Sequence, residues 1–204
     1  MKTQMRFQKI LMLVSLIIGA LSIVYALIFC SGTFNQLAQL RDYDDAERYP
    51  TNPATGVKEV FNASQSFSDL FLILGIVLIL VAVLLYIAAC QKRRKYYVTN
   101  YVAIGIAAVY QIVYAILLFV LLANIQTAYD AVNFENCEYW YEYANFANAF
   151  GKLSTNTWSV SLGYALAALV LVNTALLIGN LVWKILLMQG EKKLLENGLV
   201  KEVA

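Results

Sequence analysis

The feature that most constrains this chain is a set of four long apolar runs that alternate with polar segments. The runs are Ile10–Phe29, Leu70–Ala89, Val98–Ala123 and Val160–Trp183. None contains an acidic residue, an arginine or a histidine, and both prolines, Pro50 and Pro53, lie outside them. A helix needs about 20 apolar residues to cross the hydrocarbon core of a bilayer. The sequence therefore predicts four uninterrupted transmembrane helices.

The composition indicates the same class of protein. Hydrophobic residues make up 61% of the chain and charged residues 14%, against about 45–50% and 25% in a soluble domain. The expected fold is an all-α membrane protein, in which residues 1–204 form one domain built as a four-transmembrane-helix bundle. The predicted connections are residues 30–69, 90–97 and 124–159, and the tail covers residues 184–204. The first run is longer than the core of a cleaved signal peptide, about 7–15 residues, so it is interpreted as a retained membrane helix.

The positive charges indicate the orientation. Eleven of the 15 Lys and Arg residues lie at the two ends of the chain or in the short connection, whereas the long connections hold ten of the 13 acidic residues. Because Lys and Arg in short flanking segments resist translocation, both termini are expected in the cytoplasm and both long loops outside the plasma or cytoplasmic membrane. The basic run Lys92–Lys95 is accordingly interpreted as a topology signal, with weak attraction to anionic lipid as a by-product.

Several kinds of chemistry are disfavoured by what the sequence lacks. The chain has no histidine, which removes the usual general base and the commonest neutral metal ligand. No glycine motif for phosphates or dinucleotides is found, and no charged residue lies in the middle of a span. The acidic group between Asp42 and Glu47 lacks the spacing of an EF-hand loop. We therefore expect no catalytic residue, no cofactor, no metal site and no nucleic-acid partner.

The fourth span has two differently built faces. Small residues at helical spacing form one face, and two asparagines seven residues apart lie roughly opposite. The small residues are Ala165, Ala168, Ala175 and Gly179, and the asparagines are Asn173 and Asn180. Small residues allow helices to approach closely in lipid, and amides hydrogen-bond between helices. All six are predicted to serve helix packing, although the asparagines and Gln111 are also candidates for lining a polar path.

The second long loop contains an aromatic and acidic segment, Phe134–Phe150, with the sequence FENCEYWYEYANFANAF. Tyr139, Tyr143, Phe146 and Phe150 recur at helical spacing, which predicts a short amphipathic helix lying on the outer membrane surface. Two functions remain open for it. The segment braces the bundle or docks a partner, or it binds a small cation through rings and carboxylates. The residues for that cation site are Glu138, Trp140, Glu142 and Tyr143.

The outer loops carry two further candidate modifications. Cys30 and Cys137 are both predicted on the outward side, where an oxidising compartment allows them to form a disulfide between the loops. Asn62 begins an Asn-Ala-Ser glycosylation sequon, which matters in a eukaryotic secretory system. Both remain hypotheses about the outer surface.

The layout is similar to that of tetraspan families such as claudins and tetraspanins. The Gly-Leu-Trp motif and paired cysteines of the claudin first loop are absent, and so is the Cys-Cys-Gly motif of the tetraspanin second loop. No family residue or role is therefore carried over. The expected function is that of a non-enzymatic structural or interaction subunit, with the lipid bilayer and a membrane protein or second copy as partners. The alternative is a small homo-oligomeric cation channel or transport component.

Overall fold

The chain folds into long helices in every part that the structure, a computed structural model, describes: residues 2–41, 56–90, 97–132 and 158–196. These helices are α1 (Lys2–Arg41), α2 (Val57–Cys90), α3 (Tyr97–Asp130) and α4 (Trp158–Glu196), and no strand occurs in the same ranges. Each helix is long and apolar enough to cross a membrane. The predicted all-helical class is confirmed, and each predicted span lies inside one of the helices.

The helices are longer than the spans predicted for them. They contain 34 to 40 residues, which at 1.5 Å per residue is roughly 51–60 Å, against about 30 Å of hydrocarbon core. One of the two largest extensions is at the start of α2, where residues 57–69 are helical although the sequence places them in a loop. This stretch contains neither proline nor glycine, so a helix formed in the membrane continues into it.

The helices form a ring in which each contacts two neighbours, in the order α1, α2, α3, α4 and back to α1. Consecutive helices run antiparallel. We call the end where α1 begins and α4 ends the terminal end; α2 ends and α3 begins there too. The outer surface carries exposed branched side chains, including Ile73, Val109 and Val172, as expected for a surface that contacts lipid.

Two glycines allow α1 and α2 to pack closely. A Cβ atom added to Gly19 would lie 2.7 Å from Cγ1 of Ile79, and one added to Gly75 would lie 2.9 Å from Cγ1 of Ile23. An isoleucine side chain of the other helix therefore packs directly against each glycine. Such close approach increases van der Waals contact, a main source of helix association in lipid.

Aromatic side chains fill the half of the bundle away from the terminal end. Phe67 of α2 lies 4.8 Å from Phe29 of α1 and 4.5 Å from Phe71, and Phe71 lies 5.3 Å from Tyr114 of α3, measured between ring centroids. All four are fully buried. Tilted and edge-to-face contacts of this kind add to the stability that burial provides.

Tyr25 extends this aromatic group to α4. Its hydroxyl donates a 2.9 Å hydrogen bond to the carbonyl oxygen of Ser159. The side chain reaches that carbonyl because Gly163 has no Cβ; a Cβ there would collide with the Tyr25 hydroxyl and with Leu122. Gly163 is thus required by a contact between two helices.

Gly19 and Gly75 form two notches into which the isoleucines of the other helix pack. Substitution of these glycines tests the α1–α2 packing. We expect Gly19→Val and Gly75→Val each to lower the free energy of unfolding by about 1–3 kcal/mol, because the added methyl groups overpack the contact. Thermal or denaturant unfolding in detergent micelles measures the change. Gly105→Val is the control, since nothing lies within 4 Å of a Cβ at that position. An equal loss in all three variants would contradict the proposed notches.

Candidate functional site: a buried polar network

The middle of the bundle contains a polar cluster built from three helices. We call Ser15 of α1, Gln111 of α3, and Asn173 and Thr174 of α4 the mid-helix polar cluster. Nδ2 of Asn173 donates to Oγ of Ser15 at 2.8 Å and to Oε1 of Gln111 at 3.0 Å. Nε2 of Gln111 donates to Oγ of Ser15 at 3.2 Å, and Oγ1 of Thr174 donates to Oε1 of Gln111 at 3.0 Å. All four side chains are buried.

A second set of amides lies nearer the terminal end. We call Gln4 and Gln8 of α1, Asn100 of α3 and Asn180 of α4 the terminal amide cluster. Gln8 and Asn100 exchange two hydrogen bonds, of 2.6 and 3.3 Å, and Nε2 of Gln4 donates to Oδ1 of Asn180 at 3.0 Å. Gln4 also donates to Gln8 at 3.4 Å. These four side chains are buried as well.

Both clusters join helices across the centre of the ring. The backbones of α1 and α3 are not neighbours, yet Gln8 bonds to Asn100 and Ser15 bonds to Gln111. Only side chains that reach the axis can make such bonds. The polar network therefore occupies the axis of the bundle, where no lipid or bulk water satisfies it.

A layer of apolar side chains separates the two clusters. Leu11, Ile104, Ala107 and Leu177 lie between them along α1, α3 and α4, and Leu85 of α2 belongs to the same buried group. Leu85, Ile104, Ala107 and Leu177 have no exposed surface. Among the described residues, the two clusters are thus not linked by a continuous line of polar side chains.

A lysine lies one turn beyond the terminal amide cluster. Lys184 follows Asn180 by four residues on the same face of α4 and is 3% exposed. Its Nζ atom lies 5.1 Å from the centroid of the Tyr101 ring in α3. An ammonium group at this distance from an aromatic face is attracted by the ring quadrupole. The Lys184 side chain therefore forms part of the bundle interior at the terminal end, although the sequence assigns this residue to the cytoplasmic tail.

Two atoms of the network have no hydrogen-bond partner in the described part of the chain. They are Oδ1 of Asn173, an acceptor, and Nδ2 of Asn180, a donor. Both belong to side chains that are at most 2% exposed. Since unpaired buried polar atoms are costly, these are positions where the network keeps unused hydrogen-bonding capacity.

The structure divides the predicted packing residues of α4 into two groups. Asn173 and Asn180 lie inside the bundle and bond to other helices. The small residues lie on the exposed face, and nothing lies within 4 Å of a Cβ placed at Gly179. This small-residue stripe consists of Ala165, Ala168, Ala175 and Gly179. It does not pack within the described part of the chain, because the amides occupy the inward face; helix packing through this stripe therefore stays a prediction, with another molecule as the neighbour.

The residues of the predicted outer sites are not among those that the structure describes. Glu138, Trp140, Glu142, Tyr143 and Cys137 lie outside the described residues, as does the predicted amphipathic helix, and so does the side chain of Cys30. The cation site and the disulfide therefore stay predictions. In the described ranges, no group of three or more His, Cys, Asp or Glu side chains is placed to hold a metal ion.

Sequence reasoning missed most of the network. Gln4 and Gln8 precede the first predicted span, and neither Ser15 nor Asn100 was singled out. A signal was present, because Gln8, Ser15 and Ser22 recur every seven residues, as Asn173 and Asn180 do. A seven-residue polar repeat within an apolar helix indicates one inward face.

These observations define a class of protein: a multi-pass membrane protein whose helices are cross-linked by amides at the axis. The same observations do not identify a protein family. Comparison of the chain with known protein families, with curated proteins and with solved structures gave no match.

A double-mutant cycle tests the mid-helix polar cluster. We expect Gln111→Leu and Asn173→Leu each to destabilise the bundle, and the double variant to lose about 0.6 to 1.7 kcal/mol less than the sum of the two, which is the usual coupling of polar pairs in membranes. Unfolding in detergent micelles measures all three. The matched pair Gln65→Leu and Asn124→Leu, both exposed, should be additive within about 0.5 kcal/mol. Additivity in the buried pair would contradict the network.

Proposed function

We propose that this protein is a non-enzymatic membrane subunit that works through helix contacts with a partner. The observation that carries the proposal is the contrast between the two faces of α4. Its polar face is engaged inside the bundle through Asn173 and Asn180. Its small-residue stripe is exposed instead, and small residues are what helices use to approach one another in lipid.

The geometry of the stripe supports a helix as the partner. Ala165, Ala168, Ala175 and Gly179 extend over 15 residues of α4, a rise of about 21 Å, which is most of the hydrocarbon core. A second helix crossing the bilayer beside α4 would contact the stripe along this whole length. The proposed partner is another membrane protein or a second copy of this chain.

The orientation proposed from the charges places the terminal end in the cytoplasm. It rests on the basic residues of both termini and of the short connection, which resist translocation. The long loops then face outward from the plasma or cytoplasmic membrane. The aromatic segment Phe134–Phe150 would serve there as an additional docking surface, or as the proposed cation site.

The second candidate is a cation channel or transport component. Its proposed lining was Asn173, Asn180 and Gln111, which lie inside one bundle. A path between copies of the chain would instead be lined by exposed apolar side chains such as Val172. Because an apolar lining does not replace the hydration of a cation, the interaction subunit is the better supported of the two.

Enlarging the small-residue stripe tests the proposed function. We expect Ala168→Leu combined with Ala175→Leu to weaken association with the partner about tenfold or more, because leucine side chains hold the helices apart. The mass and composition of the gently purified particle, measured by native mass spectrometry, report the association. Ala20→Leu combined with Ala123→Leu is the control, since both alanines are exposed on other helices. A lone monomer for the unaltered chain would contradict the proposal.

Labelling of single cysteines tests the orientation. Cys90 is an exposed free thiol at the end of α2, and we expect it to react with a membrane-impermeant maleimide only after cells are permeabilised. The variant for this measurement carries Cys30→Ser and Cys137→Ser. The control carries Cys90→Ser and Ala131→Cys in the same background, which places the thiol beyond the end of α3; it should react in intact cells. The reverse pattern would invert the proposed topology.

A further inference from the structure

A tyrosine hydroxyl is buried beside the mid-helix polar cluster. Tyr114 follows Gln111 by three residues on α3 and is 1% exposed. Its ring lies 5.3 Å from that of Phe71 in α2, measured between centroids. Its hydroxyl has no hydrogen-bond partner in the described part of the chain. Because a buried hydroxyl without a partner is costly, this atom marks a position where a polar ligand would bind.

A second unpaired atom is directed towards the same region. Oδ1 of Asn173 has no partner among the described residues, while Nδ2 of the same side chain donates to Ser15 and Gln111. Side chains in a helix lean towards the start of that helix. Since α3 and α4 run antiparallel, Tyr114 leans towards the terminal end and Asn173 leans away from it. Each side chain therefore leans towards the level of the other.

A third polar group faces the tyrosine from α1. Ser22 is fully buried and interacts with Tyr114, although no direct hydrogen bond to the Tyr114 hydroxyl forms. The Ser22 hydroxyl donates to the carbonyl oxygen of Ile18 at 2.8 Å, so its own oxygen is left as an acceptor. Two polar groups that face each other without a direct bond are a usual setting for a bridging water.

The hydrogen-bonding capacity of the three groups matches one water molecule. The Tyr114 hydroxyl can donate, whereas Oδ1 of Asn173 and Oγ of Ser22 can accept. A water that accepts one bond and donates two makes the three bonds that are typical of buried water. Two bonds of about 2.8 Å join atoms up to roughly 5.5 Å apart, and three residues of helix rise by about 4.5 Å. One water therefore spans the step between the levels of Gln111 and Tyr114.

The surroundings favour water over an ion. The four predicted spans contain no charged residue, so an ion at this depth would have no counter-charge, which is costly in lipid. A neutral water avoids that cost but needs space as well as polar partners. Short side chains leave such space, because the buried group around the tyrosine includes Ala26 of α1, Ala115 of α3 and Ala167 of α4.

We propose that one water molecule is bound at the axis of the bundle, where it accepts a hydrogen bond from Tyr114 and donates to Asn173 and Ser22. The water joins the mid-helix polar cluster to the aromatic side chains and cross-links α1, α3 and α4. The inference is independent of the helix-docking function, because it concerns the interior rather than the small-residue stripe. It adds a bound ligand to the polar network.

Radiolytic labelling of the full-length protein in detergent micelles tests the proposal. X-rays convert water into hydroxyl radicals, which oxidise the side chains beside that water, and mass spectrometry locates the products. We expect several-fold more oxidation at Tyr114 than at Tyr25. Tyr25 is the matched control, since it is 3% exposed and its hydroxyl donates directly to the carbonyl oxygen of Ser159. Equal oxidation of the two tyrosines would overturn the proposal.

Removal of the acceptor on α1 tests the location of the water. Ser22→Ala keeps Tyr114 but removes one of the three bonds to the water, so oxidation of Tyr114 should fall to the level of Tyr25. Ser64→Ala is the matched control, because Ser64 is also a fully buried serine whose hydroxyl has no partner among the described residues, but it lies two turns from Phe71 on α2. An equal fall in both variants, or no fall in Ser22→Ala, would contradict the assigned partners.

The stability of Tyr114→Phe distinguishes a bridged hydroxyl from an unpaired one by the sign of the change. Loss of a bridged hydroxyl should raise the unfolding equilibrium constant about fivefold. Loss of an unpaired buried hydroxyl would lower that constant instead, and this result would overturn the proposal. Tyr25→Phe, which removes a direct bond, is the positive control. A destabilised Tyr114→Phe together with no oxidation at Tyr114 in the unaltered protein would assign a direct bond to Ser22 and exclude the water.

Discussion

The constraint on which the rest of this structure depends is the need to pair polar side chains inside a bundle surrounded by lipid. Ser15, Gln111 and Asn173 satisfy it by bonding to one another at the axis, and Gln8 and Asn100 do so nearer the terminal end. Such bonds form only when the helices stand at matching heights. The polar network therefore sets the register of α1, α3 and α4, since a shift by one turn would leave several buried amides unpaired.

The position of α2 is set differently. Among the described residues, none of its side chains belongs to either polar cluster. Its place depends on shape, through the notches at Gly19 and Gly75, and on the aromatic contacts of Phe67 and Phe71. The bundle thus combines hydrogen bonding, which is directional, with close packing, which depends on fit at each atom. The hydrogen bonds and the close packing both form between helices of this one chain, and neither requires a partner molecule.

The proposed working surface, the small-residue stripe, lies on the outer face of α4. The interior is filled by apolar side chains on both sides of the mid-helix polar cluster, which favours external contacts as the basis of the proposed function.

The sequence by itself determined the class of the protein, the place of the four long apolar helices in the described part of the chain, and the shared face of Asn173 and Asn180. These follow from local properties, namely the length of an apolar run and the repeat of a helix. Tertiary structure decided which face turns inward. The fourth span is apolar on nearly every side, so its pattern predicted helix packing on both faces, and only the structure shows that Asn173 and Asn180 face the interior while Ala168 and Gly179 are exposed. The same holds for Lys184, whose Nζ atom lies 5.1 Å from the centroid of the Tyr101 ring, because only folding brings α3 and α4 together.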